Sequence, residues 1–346
     1  MSELKEYFER ILKHVENKYS NETEGSKEIL ADYDIETAVA TNYNGRQIFE
    51  MLQNADDASK TAINKKILFT LKDNELRISN NGIPFTSESF DSITYIGNSP
   101  KRGDNSSTGE KGLGFRSYLN WSNNLTIESD GEKVSFSKTY AKSFVKNILD
   151  RCPKVRESFY QKKHKYNDEF PVSILRIPYI HESDITNNDY DTTITLSLND
   201  EKVVEDVCKQ FERITPYTLL FTKFIEEIEI ITTNTKVLKK TAEGDKVIIT
   251  EHIDGIKTNE WCGNIRKKKG FIKDESSETA FKLYHSDNEK LFTFGKTDIC
   301  IGKQEFKDEI KAELKQEYQD AKTAKKSEHG FLHGVQVGVG VSATSG

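Results

Sequence analysis

A chain of 346 residues and 39.6 kDa is more than one ordinary hydrophobic core fills, and predicts about two domains. Charged residues make up 31% against 35% hydrophobic, with a mean hydropathy of −0.68, yet nineteen Phe and fourteen Tyr supply a packed interior and argue against wholesale disorder. No apolar run approaches the ~18 residues of a membrane span, and residues 1–20 lack the apolar core of a secretory signal. The net charge of −6 gives no global attraction to nucleic acid or anionic lipid. Cys152, Cys208, Cys262 and Cys300 are dispersed without a C-x-x-C pair and read as reduced thiols, so the expectation is a cytoplasmic protein without membrane or nucleic-acid partners.

Leu4, Tyr7, Phe8, Ile11, Leu12 and Val15 recur at three-to-four spacing and predict an amphipathic helix over 3–18, followed by a polar loop at YSNETEGSKE. Residues 35–60 continue with helical periodicity through Ile48, Met51, Leu52 and Ala55. KKILFTLKDNELRISNNG reads as strand, turn at Asp73-Asn74, and strand. Residues 86–96 predict a helix, 97–114 are too rich in Gly, Ser and Asn to be core, and LTIESDGEKVSFSKTY predicts a hairpin around Asp130-Gly131. Strands follow at 173–180 and 192–198, and a helix near 200–212. Beyond about 215 the pattern changes to a second set, with a meander over IEEIEIITT, TKVLKKTA and KVIITEH, strands near 279–302 and a charged helix over 304–327. A boundary at 205–220 separates a first domain, 1–205, from a second α+β domain, 206–346, whose Gly-rich end reads as a frayed tail or the cut edge of a longer protein.

Three segments of the first half carry chemistry. In Glu50-Met-Leu-Gln-Asn54-Ala-Asp-Asp57-Ala58, the residues Glu50, Asn54 and Asp57 fall at i, i+4 and i+7, a polar stripe opposite the apolar one; alone, this is as readily a solvated helix face. Asn80-Asn81-Gly82-Ile83-Pro84-Phe85 ends a strand with turn chemistry, and there the Asn80 side chain and the Gly82 backbone are able to approach a planar ligand. Ile96-Gly97-Asn98-Ser99 precedes Thr108-Gly109-Glu110-Lys111-Gly112-Leu113-Gly114-Phe115-Arg116-Ser117, a glycine-rich loop running into a helix, whose amides suit phosphate. Its glycine order fits neither the dinucleotide fingerprint nor the P-loop.

In this order the three segments resemble the GHKL, or Bergerat-fold, ATPases, the superfamily of gyrase B, heat-shock chaperones, histidine kinases and MutL repair proteins. Glu50 to Ala58 resembles the N-box, Asn80 to Pro84 a variant of the D-x-G-x-G adenine box, Thr108 to Gly114 the lid box, and Asp191-Thr192-Thr193-Ile194-Thr195-Leu196 the terminal G-T-x-[IV]-x-L strand. The wording QNADDA, NNGIPF, IGNS and TGEKGLGFRS is most similar to the sacsin-type branch, and the likeness covers residues 30–200. It departs where Asn80 replaces the adenine-box aspartate, Pro84 its second glycine, and Asp191 the glycine of the strand box.

The resemblance implies an α+β fold, a two-layer α/β sandwich with a mixed, mostly antiparallel sheet, that binds ATP and Mg²⁺. It implies nucleotide contacts from Asn54, Asp57, Ala58, Asn80, Gly82, Ile83, Phe85, Gly97, Ser99, Thr108, Gly109, Lys111, Gly112, Leu113, Gly114, Phe115 and Thr192, with Asn54 also the Mg²⁺ ligand and Glu50 the general base. The chemistry agrees, since Mg²⁺ takes hard oxygen ligands and a carboxylate one turn away is placed to receive a proton from water. Segment 97–116 is expected to close over the phosphates. Glu50, where kinases of this fold carry Asn, favours slow hydrolysis coupled to nucleotide-dependent homodimerisation and an unidentified protein client, chaperone-like or within a defence or stress system. A non-hydrolytic ATP-gated scaffold is the alternative, ahead of a kinase or a DNA-remodelling ATPase. Arg266-Lys267-Lys268-Lys269 reads as an exposed turn or a cation reaching the γ-phosphate, and His329 with His333 as at most half a metal site.

Overall fold

The computed structural model describes residues 3–42, 45–95, 113–181, 189–243, 246–268, 271–274, 279–284 and 293–298. These form two compact units: a first reaching to Ile214 and resuming over Lys223–Thr235, and a second of Thr215–Thr222 and the described residues from Lys236. The helix expected over 304–327 and the histidines His329 and His333 lie outside the described residues.

The first unit is α+β with a mixed sheet. Helix α1 (Glu3–Tyr19) buries Tyr7, Phe8, Ile11, Val15 and Tyr19, the stripe that its spacing predicts. Helix α2 (Gly25–Asn42) begins inside the polar stretch expected as loop, and a short break separates it from α3 (Gln47–Ala58), which buries Ile48, Met51, Leu52 and Ala55. The hairpin of β1 (Lys66–Lys72) and β2 (Glu75–Asn80) turns at Asp73, φ 52°, and α4 (Ser87–Thr94) starts from the Thr86 hydroxyl, which accepts from Ser89 N. After α5 (Leu113–Arg116), β3 (Ser122–Ser129) and β4 (Glu132–Ser137) pair through Asp130 and Gly131, both left-handed. Helices α6 (Lys138–Arg151) and α7 (Pro153–Lys162), strands β5 (Pro178–Ile180) and β6 (Thr192–Leu198), helix α8 (Glu201–Glu212) and strand β7 (Glu227–Ile231) complete the unit. Strand order is β7-β1-β2-β6-β3-β4-β5, parallel only between β1 and β7. Phe69 of β1 meets Phe211 of α8 edge-on at 5.5 Å, so the helices cover an apolar sheet face.

Four elements depart from the sequence expectation. The hairpin expected to run through Tyr140 stops at Ser137, and α6 and α7, which periodicity did not announce, follow. Ala141, Val145, Ile148 and Leu149 form the buried stripe of α6, and Pro153 occupies the first turn of α7, where its missing N–H costs nothing. The strand expected over 173–180 shrinks to 178–180 because the amides of Ile174 and Leu175, with the Ser173 hydroxyl, donate to the buried Glu36 carboxylate at 2.6, 3.0 and 2.7 Å. The helix expected as 35–60 is two helices. Finally, β7 is no part of a downstream meander: it pairs in parallel with β1, Ile67 opposite Ile228.

The route to that pairing is set by Asp56, whose buried carboxylate accepts from the amides of Lys223, Phe224 and Ile225 at 2.7, 2.8 and 2.7 Å. A second buried carboxylate, Asp32, receives Lys18 Nζ, Tyr19 Oη and Arg176 Nη2 at 3.1, 2.8 and 3.2 Å, tying α1 and α2 to the segment before β5. The second unit holds α9 (Thr218–Phe221) and strands β8 (Thr235–Glu243), β9 (Lys246–Ile253), β10 (Ile256–Lys268), β11 (Phe271–Asp274), β12 (Thr279–Tyr284) and β13 (Thr293–Asp298), each strand antiparallel to the next. Lys240 Nζ donates to the carbonyls of Leu219 and Thr222 at 3.0 and 3.3 Å, fastening α9 to the meander. No described helix is long and apolar enough to cross a membrane.

Because each buried donor left without an acceptor costs about 1–3 kcal/mol, Asp56→Ala is expected to lower unfolding free energy by roughly 3 kcal/mol or more. Urea unfolding of the variant against the wild type measures it, and a loss below about 1 kcal/mol would show that those amides find other acceptors.

Candidate functional site

The apolar stripe of α3 turns into the core, so its polar stripe emerges along one side of the unit. Glu50 sits in the first turn with its side chain 15% exposed, Asn54 one turn on is exposed, and Asp57 is half-buried. Arg46 Nη2 stands 3.9 Å from Glu50 Oε1, across one helical turn. Burial pushes the Glu50 carboxyl above its ordinary range, with Arg46 opposing. The other side of that carboxylate is closed by α5: a Cβ on Gly114 would come 2.4 Å from Glu50 Oε2 and 3.0 Å from its Cδ. Gly114 backbone therefore lies directly against the Glu50 carboxylate, with no side chain of its own between them.

The far end of α3 meets the strand-end loop. Gly82, at φ 133°, lies so close that a Cβ would come 2.0 Å from Ala58 O, and Ile83 N donates to the same oxygen at 2.9 Å. Ser59 Oγ joins the two sides by donating to Ala55 O at 2.7 Å and Asn81 O at 3.0 Å. Asn80, buried at the end of β2 and opposite Thr192 in the ladder, makes one long side-chain hydrogen bond among the described residues, Nδ2 to Asn81 O at 3.4 Å. Its amide oxygen is left to accept from elsewhere.

Around Asn80 the polar groups are interlocked. Gly82 N donates to Asp191 Oδ2 at 2.8 Å, and Asp191 N donates to Asn81 Oδ1 at 3.2 Å. Ser129 Oγ lies 2.8 Å from Thr192 Oγ1 and 3.2 Å from Asp191 O, and accepts from Phe85 N at 3.0 Å. Ile83 is 49% exposed at the rim, and Phe85 is half-buried against Phe90 and Phe115 at 5.4 and 6.5 Å.

Of the residues singled out in the sequence, Glu50, Asn54, Asp57, Ala58, Asn80, Gly82, Ile83, Phe85, Gly114, Phe115 and Thr192 all belong to the first unit, on α3, α5 and the neighbouring ends of β2 and β6. Leu113 opens α5, while Gly97, Ser99, Thr108, Gly109, Lys111 and Gly112 lie outside the described residues. Arg116, at the end of the segment expected to close over phosphates, is 1% exposed and turns inward. It donates to Ser92 O at 3.3 Å and Ile93 O at 2.7 Å, at the C-terminal turn of α4. Burial draws its pKa down to about 10, with Glu36 favouring the charge.

Sequence reasoning missed Ser129, Arg46 and Tyr118. Ser129 carried no motif, being the last residue of a hairpin strand, and Arg46 only its i, i+4 spacing to Glu50. Tyr118 follows Gly114 by one helical turn, a spacing visible in GFRSY once Gly114 is fixed against α3.

A family model described as "Sacsin domain" matches residues 27–244, well over half of the chain. The chain belongs to the sacsin-domain family. The match runs from the first turns of α2 to the end of β8 and so includes every described element of the candidate site. No individually curated protein gives a significant match to the chain.

The two close approaches of this sacsin domain differ in what a methyl group would strike. Gly82→Ala meets backbone at a φ that L-residues rarely adopt and is expected to cost about 2–3 kcal/mol. Gly114→Ala meets only the tip of Glu50, which is able to rotate, and is expected to cost less than half as much. Thermal unfolding of the two variants side by side tests the order, and equal losses would overturn the reading of Gly82 as the tighter contact.

Proposed function

We propose that the first unit is a GHKL-type nucleotide site that binds Mg·ATP and hydrolyses it slowly. The observation that supports this reading best is Glu50: a largely buried carboxylate whose one close charged neighbour among the described residues is Arg46 at 3.9 Å, pressed against glycine backbone and one turn from an exposed amide, Asn54. A structural carboxylate in this protein is saturated with amides, as Asp56 and Glu36 are; Glu50 is not.

The residues fit the proposed ligands. Asn80 retains an acceptor for an exocyclic amino group, as a neutral oxygen and so with a weaker bond than a carboxylate makes. Gly82 and Ile83 present backbone and an exposed apolar side chain beside it, suited to a planar base. Asn54 offers a neutral oxygen that Mg²⁺ accepts, and a bound Mg²⁺ would neutralise phosphate charge. Glu50, with its pKa raised by burial, is the group to take a proton from water, a role that contributes typically ~10²–10⁴-fold. Coupling of hydrolysis to dimerisation or to work on a protein client, chaperone-like, follows from family membership and not from any surface described here.

Calorimetric titration of ATP with and without Mg²⁺, followed by phosphate release, tests the reading directly; no heat under either condition would overturn it. Glu50→Ala is expected to retain ATP affinity within a few-fold and to lose about 10²-fold or more in hydrolysis. Parallel loss of affinity and turnover would assign Glu50 to structure. Asn54→Ala is expected to abolish the effect of Mg²⁺ on ATP affinity, and an undiminished effect would remove Asn54 from the metal site.

A further inference from the structure

Tyr118 is fully buried, one helical turn beyond Gly114, and its hydroxyl meets no hydrogen-bonding partner among the described residues. Buried phenols almost always find an acceptor, because an unmade bond forfeits the hydration lost on folding. Among the described residues, the one ionisable group whose charge acts on this hydroxyl is Glu50. Glu50 is the reciprocal case, with Oε1 held loosely by Arg46 and Oε2 lying against Gly114 without a donor among the described residues. A donor lacking an acceptor and an acceptor short of donors thus share one pocket between α3 and the turn after α5.

That pocket is held firmly. Ser117 Oγ donates to Gly114 O at 2.6 Å, Gln47 Nε2 reaches Ser117 O at 3.5 Å, and the Tyr118 ring stands edge-on to Phe115 at 5.0 Å. We propose that Tyr118 is a positioning residue for Glu50, its hydroxyl donating through one buried water to the carboxylate and fixing which oxygen faces out of the pocket. Such a water would accept from Tyr118 Oη and donate to the Glu50 carboxylate. Burial, and then the Glu50 charge, hold the Tyr118 phenol well above its ordinary pKa, so it remains a protonated donor across the working range. The ionisable groups that face the carboxylate are then Arg46 from its own helix and Tyr118 from the turn after α5. The positioning role rests on Glu50 as the base of the proposed site, whereas the hydrogen bond itself does not depend on nucleotide.

The test is a stability cycle on the full chain without nucleotide, using Tyr118→Phe, Glu50→Met and the double variant. Tyr118→Phe removes one oxygen atom, and in the wild-type background it is expected to lower the thermal midpoint by about 2–4 °C, the size expected for one lost hydrogen bond in a unit of this length. In the Glu50→Met background the acceptor is gone, so the same change is expected to leave the midpoint level or raise it. A rise in both backgrounds, or equal falls in both, would show that the hydroxyl has no bond to Glu50 and would overturn the proposal. Where phosphate release is measurable, Tyr118→Phe is expected to lower kcat several-fold with KM for ATP unchanged, and a rise in KM alone would also count against it. Failure of ATP to bind would leave the stability cycle intact, which keeps the two readings separable.

Discussion

The contact on which the site depends is the seating of Gly82 on the end of α3. Ala58 O faces the Gly82 Cα with no room for a methyl group and accepts from Ile83 N, while Ser59 Oγ bonds to carbonyls on both sides of the junction. A helix is a stiff rod that rises about 1.5 Å per residue. Fixing its last turn against the end of β2 therefore also fixes Asn54 and Glu50, one and two turns back. Gly114 of α5 lies against α3 only through the Glu50 side chain, so it closes one side of that carboxylate and does not seat the helix.

The buried carboxylates separate support from chemistry. Asp56 receives three amides, Glu36 two amides and a hydroxyl, and Asp32 a lysine, a tyrosine and an arginine. Each accepts a near-complete set of hydrogen bonds, although burial still holds the Glu36 carboxyl above its ordinary range, and each joins segments far apart in sequence. Glu50, its side chain 15% exposed, is short of donors among the described residues, and burial holds its carboxyl above the ordinary range with only Arg46 opposing. Arg116 completes the contrast from the cationic side: it is spent inside, on the carbonyls closing α4, and leaves no charge for a phosphate.

Legibility followed the range of the interaction. Hairpins turning at Asp73 and at Asp130-Gly131 were readable because the turn chemistry and the alternation sit within a few residues. The polar stripe of α3 was readable too, since Glu50, Asn54 and Asp57 follow the helical period. What escaped was set by pairing at a distance. Nothing in ILRIPYI says that two of its amides belong to Glu36, and nothing in IEEIEIITT says that Asp56 will draw it alongside β1. The Tyr118 hydroxyl was invisible for the same reason, since its significance depends on Gly114 lying against α3.

Asp191 gives the residue type at position 80 a physical logic. The motif patterns that the sequence resembles have aspartate at the position of Asn80 and glycine at that of Asp191. Here the Asp191 carboxylate already occupies that loop, accepting from Gly82 N at 2.8 Å, while its own amide is held by Asn81 Oδ1. Asn80 stands beside it at the end of the neighbouring strand, in register with Thr192, and is buried. Aspartate at position 80 would put a negative charge at a buried strand end beside the strand that Asp191 precedes, where an unpaired charge costs stability. Asparagine keeps the acceptor geometry without the charge. Asp191, just before β6, braces the backbone of Gly82, and the Asn80 amide oxygen has no donor among the described residues.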